Sequence, residues 1–237
     1  MRIDILTLFP EMFSPLQESV IGRAVKSGKA EIVITDIRDF TTDKHKKCDD
    51  TPFGGGAGMV MMAQPIASAI EALDPEHKAR RIYLSPKGGK FCQAIVKEYA
   101  ALDRILLLCG HYEGVDQRVL DLYIDEELSI GDYVLTGGEI PALAVTDAVM
   151  RYVDGVINGD SLLQESFADG MLEYPHYTKP REFKGLTVPE VLISGDHAKI
   201  DAWRKEQSEK ITAKNRPDLL AGSGFGEDGT SGKVDKR

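Results

Sequence analysis

Cysteine is scarce in this chain: Cys48, Cys92 and Cys109 are odd in number and far apart, with no C-x-x-C pair to clamp zinc or pass on a disulfide. They read as reduced thiols of a cytoplasmic protein. Long apolar runs are missing too, since the longest, Ile105 to Cys109 with its borders, falls far below the roughly 20 residues that span a bilayer. No membrane partner is therefore expected. The N-terminus carries Asp4 and Glu11 around a strand-like run and lacks the parts of a signal peptide, so it reads as mature sequence. There is no H-E-x-x-H. The Gly-Lys pairs at 28, 89 and 232 are followed by Ala, Phe and Val and not by Ser or Thr, which rules out a P-loop. Gly54-Gly55-Gly56-Ala57-Gly58-Met59 lacks the last glycine of G-x-G-x-x-G. Metal-hydrolase and dinucleotide chemistry thus have little support.

What is present suits a folded enzyme. Of 237 residues, 42% are hydrophobic and 28% charged, with the signs mixed along most of the chain. That length accommodates one large α/β domain, or a domain of roughly 150 residues with a smaller one. The net charge of −9 argues against nucleic-acid affinity over the whole surface. The charge is uneven, however. Residues 175–216 hold nine basic and six acidic residues, a balance of +3, whereas residues 1–174 hold 17 basic and 28 acidic, a balance of −11. A polyanion would be met chiefly by the C-terminal part.

Strand-like runs at Ile3 to Phe9, Ile32 to Ile37, Ile82 to Leu84 and Ile105 to Cys109 alternate with helical spacing at Ile66, Ala69, Ile70 and Leu73, and at Ile95, Val96, Tyr99 and Leu102. This alternation predicts an α/β fold with a parallel sheet and helices on both faces. Three loops, Ser85 to Gly89, Gly110 to Gly114 and Ile130 to Gly138, fall where such sheets bind ligands, and the last precedes a helical stretch from Ala142 to Tyr152. After Val153 the pattern fails. The expected organisation is a main domain over 1–158, a flexible linker or lid over 159–174, a small helical domain over 175–221 and a frayed polar tail over 222–237. Within the helical domain, Ile200, Trp203, Arg204 and Gln207 keep helical spacing.

A lone glycine cluster is more often a turn than a ligand cradle. Three at successive strand ends let bare backbone approach a flat ligand such as adenosine. Glu113 and Asp132, beside these loops, suit a positive sulfonium better than a triphosphate, although either also suits a helix cap or a solvated turn. The basic run Lys44-His45-Lys46-Lys47 reads first as a solvated loop. It leads, however, into Phe53 and the glycines at 54–58, a combination fit to hold an unstacked nucleotide.

The chain resembles the TrmD family of bacterial tRNA (guanine-N1)-methyltransferases, in the knotted SPOUT class. The match runs from Leu8-Phe9-Pro10-Glu11-Met12-Phe13 through Gly22-Arg23-Ala24 to Pro175-His176-Tyr177-Thr178-Lys179-Pro180 and Asn215-Arg216-Pro217. Its most specific segments are Asp49 to Met62, Tyr83-Leu84-Ser85-Pro86, Cys109 to Gly114 and Ser129 to Glu139. The resemblance implies a trefoil knot in the C-terminal part of the main domain, an exception to the rule that chains do not thread loops. It implies a homodimer, tRNA as partner and S-adenosylmethionine as cofactor. The cofactor contacts would be Tyr83, Leu84, Pro86, Gly110, Tyr112, Glu113, Ile130, Gly131, Asp132, Tyr133, Val134, Leu135, Gly138 and Pro141. Gly54, Gly55, His176 and Tyr177 are the implied substrate contacts. The substrate would be the guanine just 3′ of the anticodon.

For catalysis the resemblance points to Arg151, to Glu113 and to Glu165, which stands where the family carries an aspartate before Ser-Phe. Asp160 and Asp169 are the other carboxylates available for that role. Magnesium is linked to the family, yet no metal-ligand cluster is visible in the sequence. Two other readings stay open: a sibling SPOUT enzyme acting on ribosomal RNA or another tRNA position, and an RNA-binding protein that has lost catalysis.

Overall fold

The computed structural model describes residues 1–221, which fall into two compact units, Met1–Asn158 and the part beginning at Gly159. The expected frayed tail lies outside the described residues. In the first unit the order is β1 (Arg2–Thr7), a 3-10 helix (Pro10–Gln17), α1 (Ser19–Lys26), β2 (Glu31–Asp36), a 3-10 turn (Ile37–Phe40), β3 (Asp49–Asp50), β4 (Val60–Met61) and α2 (Ala63–Leu73). It continues with β5 (Arg80–Lys90), α3 (Gln93–Ala100), β6 (Arg104–Cys109), α4 (Gln117–Tyr123), β7 (Glu126–Ser129) and α5 (Glu139–Met150).

Five strands form one sheet in the order β2-β1-β6-β5-β7, and every pairing is parallel. Side chains alternate across such a sheet, so each apolar strand supplies two cores. Ile3, Ile5, Ile82, Leu84, Ile105 and Leu107 face the side covered by α1, α3 and α5. Leu6, Tyr83, Leu106 and Leu108 face α2 and α4 on the other side. Fully burying each aliphatic side chain stabilises the fold by about 1.5–3 kcal/mol.

Three features differ from the sequence reading. Ser85 to Gly89 is no free loop, because β5 runs on to Lys90 after a register shift between Leu84 and Gly89 and pairs again with β7. The long segment after Phe40 closes into a small antiparallel ladder, with Asp50 opposite Val60. The helix expected from Ala142 to Tyr152 starts earlier, at Glu139, and ends at Met150.

The amino ends of the strands hold a buried ion cluster. Asp4, fully buried, accepts from Arg104 Nε at 2.7 Å and Arg2 Nη2 at 2.8 Å. Asp74, also buried, accepts from Arg81 Nε at 2.9 Å. Burial works against ionisation of Asp74. Hydrogen bonds from the Lys78 N–H, Arg81 and the Ala79 N–H outweigh it and hold the carboxyl below its usual range.

In the second unit, α6 (Gly159–Leu163) lies within the stretch expected to be a linker. It is followed by a hairpin of β8 (Glu182–Phe183) and β9 (Leu186–Thr187), a 3-10 turn (Glu190–Ile193), α7 (His197–Asn215) and α8 (Pro217–Ala221). The hairpin turns at Lys184 and Gly185, both at positive φ, which matches the twist of paired strands. Thr212, buried on α7, accepts the Leu172 N–H at 3.0 Å and so anchors the irregular segment before the hairpin.

Candidate active site

The register shift of β5, at Leu84 to Gly89, and the carboxyl ends of β6 and β7 open on a cavity of about 260 Å3. The chain passes from β5 to β6 through α3 on one face of the sheet, and from β6 to β7 through α4 on the other. Connections that diverge in this way leave a crevice at the strand ends, where ligands enter open α/β sheets.

Thirteen residues marked by the resemblance line that cavity: Tyr83, Leu84, Pro86, Gly110, Tyr112, Glu113, Ile130, Gly131, Tyr133, Val134, Leu135, Gly138 and Pro141. Asp132, an exposed residue of the same loop, is not in the lining. The walls are bare backbone for a steric reason. A β-carbon at Gly138 would stand 2.6 Å from Cys109 Cα, and the Gly138 N–H donates to the Gly110 carbonyl at 2.9 Å. A cradle of this kind fits a flat, polar adenosyl group, with Pro86, Leu135 and Pro141 supplying apolar surface.

Burial, and after it the neighbouring Glu127, pushes the Tyr83 phenol up to about 12. The Val115 N–H, which donates to the phenolic oxygen, acts in the opposite direction and is outweighed. Burial and Glu139 push the Cys109 thiol well above its ordinary value, so it is a packing residue and no nucleophile. The Glu113 N–H donates to the Met59 carbonyl at 2.9 Å, and a β-carbon at Gly58 would meet the Glu113 carboxylate at 2.4 Å. The glycine-rich turn thus ends directly against Glu113. Gly54 and Gly55, in that turn, lie outside the cavity lining, exposed and at positive φ. Of the nearby basic run, Lys46 pairs with Asp39 at 2.9 Å and Lys47 with Asp50 at 3.3 Å.

Arg151 follows α5 and so stands on the first unit. Glu165 and Asp169 stand on the second, where they line a cavity of about 310 Å3 with Tyr174 and Arg204. Arg204 lies over the Tyr174 ring at 4.9 Å. His176 and Tyr177 are also on the second unit, with His176 Nε2 3.4 Å from Glu173 and the Tyr177 ring 6.3 Å from Trp203. Asp160 lies in α6, and its side chain is outside the described part. Among the described residues no group of three His, Cys, Asp or Glu side chains is placed to hold a metal, so magnesium has no built site there. No helix among them is long and apolar enough to cross a membrane.

Sequence reasoning missed Gln117 and Glu127 in the cavity wall, and it gave no separate role to Ser85, His111, Ser129 and Thr136, which stand in segments it had marked. Glu127 and Ser129 sit on β7, whose four residues include two glutamates and offer no apolar run to read. The only available signal for Gln117 was Asp116, which caps α4 by accepting the Arg118 N–H.

A family model described as tRNA (Guanine-1)-methyltransferase TrmD matches residues 1–222. The chain belongs to this family. Among its relatives, the tRNA (guanine-N(1)-)-methyltransferase of Clostridioides difficile (strain 630) is 54% identical over 224 residues, covering 92% of this chain and 97% of that protein. The enzyme of the same name from Carboxydothermus hydrogenoformans is 55% identical over 222 residues, covering 93% and 87%. That of Chloroflexus aurantiacus is 55% identical over 224 residues, covering 93% and 88%. Membership in TrmD accounts for glycine loops that match neither a P-loop nor a dinucleotide fingerprint.

Proposed function

We propose that this chain transfers a methyl group from S-adenosylmethionine to N1 of guanine in transfer RNA, at the guanine just 3′ of the anticodon. The observation that carries this reading is the backbone-walled cavity at the register shift of β5 and the carboxyl ends of β6 and β7, in a chain of the TrmD family. When bound, S-adenosylmethionine supplies a methyl carbon made electrophilic by its sulfonium. Gly110, Gly138 and Ile130 would hold the adenosyl group by backbone, and Glu113 would match the positive charge.

Neutral guanine carries a proton on N1, and removing it puts negative charge on O6. Glu165 is the proposed proton acceptor and Arg151 the cation that stabilises O6. A homodimer is the assembly that the family resemblance implies. Met12, Leu135 and Ile140, exposed apolar residues of the first unit, support such an interface. The trefoil knot is proposed on the family resemblance alone. The second unit, whose residues 175–216 carry a balance of +3 and which bears His176 and Tyr177, is the proposed tRNA-binding domain, and the proposed working compartment is the cytoplasm.

The test is to incubate the protein with labelled S-adenosylmethionine and a tRNA transcript, then digest and profile the nucleosides. 1-Methylguanosine is expected, and it should vanish when the guanine 3′ of the anticodon is replaced. Label in ribosomal RNA or at another tRNA position would overturn the substrate. Binding of tRNA and cofactor without any transfer would overturn the activity.

A further inference from the structure

Glu139 is the first residue of α5 and is 1% exposed, yet no step of methyl transfer uses it. One carboxylate oxygen accepts from Thr7 Oγ1 at 2.7 Å, at the end of β1. The other lies 3.0 Å from His111 Nε2, in the loop that follows β6. Thr7 Oγ1 in turn accepts the Phe9 N–H at 2.9 Å, and the Phe9 ring lies 4.7 Å from the His111 ring. Three segments distant in sequence thus meet on one side chain. Two of them are the loops whose backbone lines the cavity, joined again by the bridge between His111 and Gly137.

The junction leaves no room for adjustment. A β-carbon at Gly137 would stand 2.3 Å from His111 Nε2 and 2.5 Å from Glu139 Oε2. Buried polar groups of this kind are costly to strand, so the arrangement holds only while each partner is present.

We propose that Glu139 is a positioning residue: through Thr7 and His111 it locks the loop after β6 to the loop before α5, and so preforms the cavity for its adenosyl ligand. The proposal rests on the cofactor reading above. A site preformed in this way binds with less ordering of its loops than one that must assemble around the ligand.

The experiment compares Glu139→Gln, His111→Ala and His111→Gln, the last returning a nitrogen near the place of Nε2. Calorimetric titration measures the affinity of each for S-adenosylmethionine and for S-adenosylhomocysteine. Hydrogen exchange on the ligand-free protein follows the amide of Gly138. Glu139→Gln and His111→Ala are each expected to weaken binding by about 10-fold to 100-fold, the range for a hydrogen bond to a charged group. The Gly138 amide should exchange faster in both. His111→Gln should recover most of the loss. If Glu139→Gln fails to fold, the partly buried position at 111 still gives the answer. Wild-type binding with both His111 variants and the Gly138 amide undisturbed overturns the proposal alone. A wild-type chain that binds neither compound overturns the cofactor reading, and this proposal with it.

Discussion

The Tyr83 hydroxyl stands so close to the backbone of Gly110 that a β-carbon at residue 110 would lie 2.6 Å from the phenolic oxygen. Position 110 is thereby closed to any side chain while Tyr83 keeps its place. Gly110→Ala should destabilise the protein by about 1–3 kcal/mol, the usual effect of overpacking. It should also weaken binding of S-adenosylhomocysteine by at least tenfold. Denaturant melts and calorimetry check both, and an unchanged dissociation constant would show that the loop backbone does not touch the ligand. The Tyr83 phenol, raised to about 12, keeps its proton longer in the folded than in the unfolded chain. Stability therefore falls as pH rises above about 10, by about 1.4 kcal/mol for each unit until the folded group titrates. Tyr83→Phe should lose this part of the alkaline sensitivity, which urea titrations between pH 9 and 11.5 would read against wild type.

Asp74 supplies the opposite limb. Its folded carboxyl titrates below the ordinary value, so its contribution is present above about pH 4 and is lost as pH falls through the lowered value. Asp74→Asn strands the Arg81 guanidinium and should cost about 3–5 kcal/mol at pH 7. The deficit against wild type should shrink at pH 3. Because this cluster lies at the amino ends of the strands, the folded variant should bind S-adenosylhomocysteine within about twofold of wild type, as well-separated sites do.

Replacing Glu165 by Gln keeps shape and hydrogen bonding but removes the proton acceptor, and turnover should drop by about 10²–10⁴-fold. Glu165→Asp restores the carboxylate on a shorter arm and should retain far more activity, although a shift of about 1 Å can still lower the rate roughly 10²-fold. Cofactor binding should survive both changes. Near-normal single-turnover methylation by Glu165→Gln, with tRNA and cofactor saturating, moves the proton acceptor to Asp169 or Asp160.

Mixing two inactive variants tests the shared site. Arg151→Ala and a cofactor-loop variant, chosen so that each is inactive alone, should regain activity on forming a heterodimer in which one composite site holds neither change. A verified heterodimer without activity would mean either that the site is not shared or that both residues belong to the same half-site.

Much of the sheet was legible because its strands are buried on both faces. Ile105 to Leu108 is a continuous apolar run and Ile3 to Leu6 is broken only by the buried Asp4, so no solvent face interrupts either. β7 escaped notice because only Leu128 and Ser129 of its four residues are buried, and its place in the sheet comes from pairing with β5 rather than from its own pattern. The same limit hid part of the site. Glycines at strand ends announce themselves, whereas Glu127 and His111 look like surface residues until the partners across the sheet are known. Glu139 was hardest to read, since a charged residue opening a helix suggests a solvated cap. Its burial depends on Thr7, 132 positions away in sequence.

The sheet order also bears on how the chain reaches its native state. β6 lies between β1 and β5, so Ile3 finds its register partner in Ile105 only after most of the first unit exists. Parallel pairings over such separations must close a long loop before any contact rewards it, which places this topology among slow folders. The cavity loops hang from β5, β6 and β7 and cannot assemble before the central strand is seated. On the ribosome, a nascent chain ending near Leu73 holds β1, β2 and α2 but no ligand site, and it exposes the edge of β1 that β6 later covers.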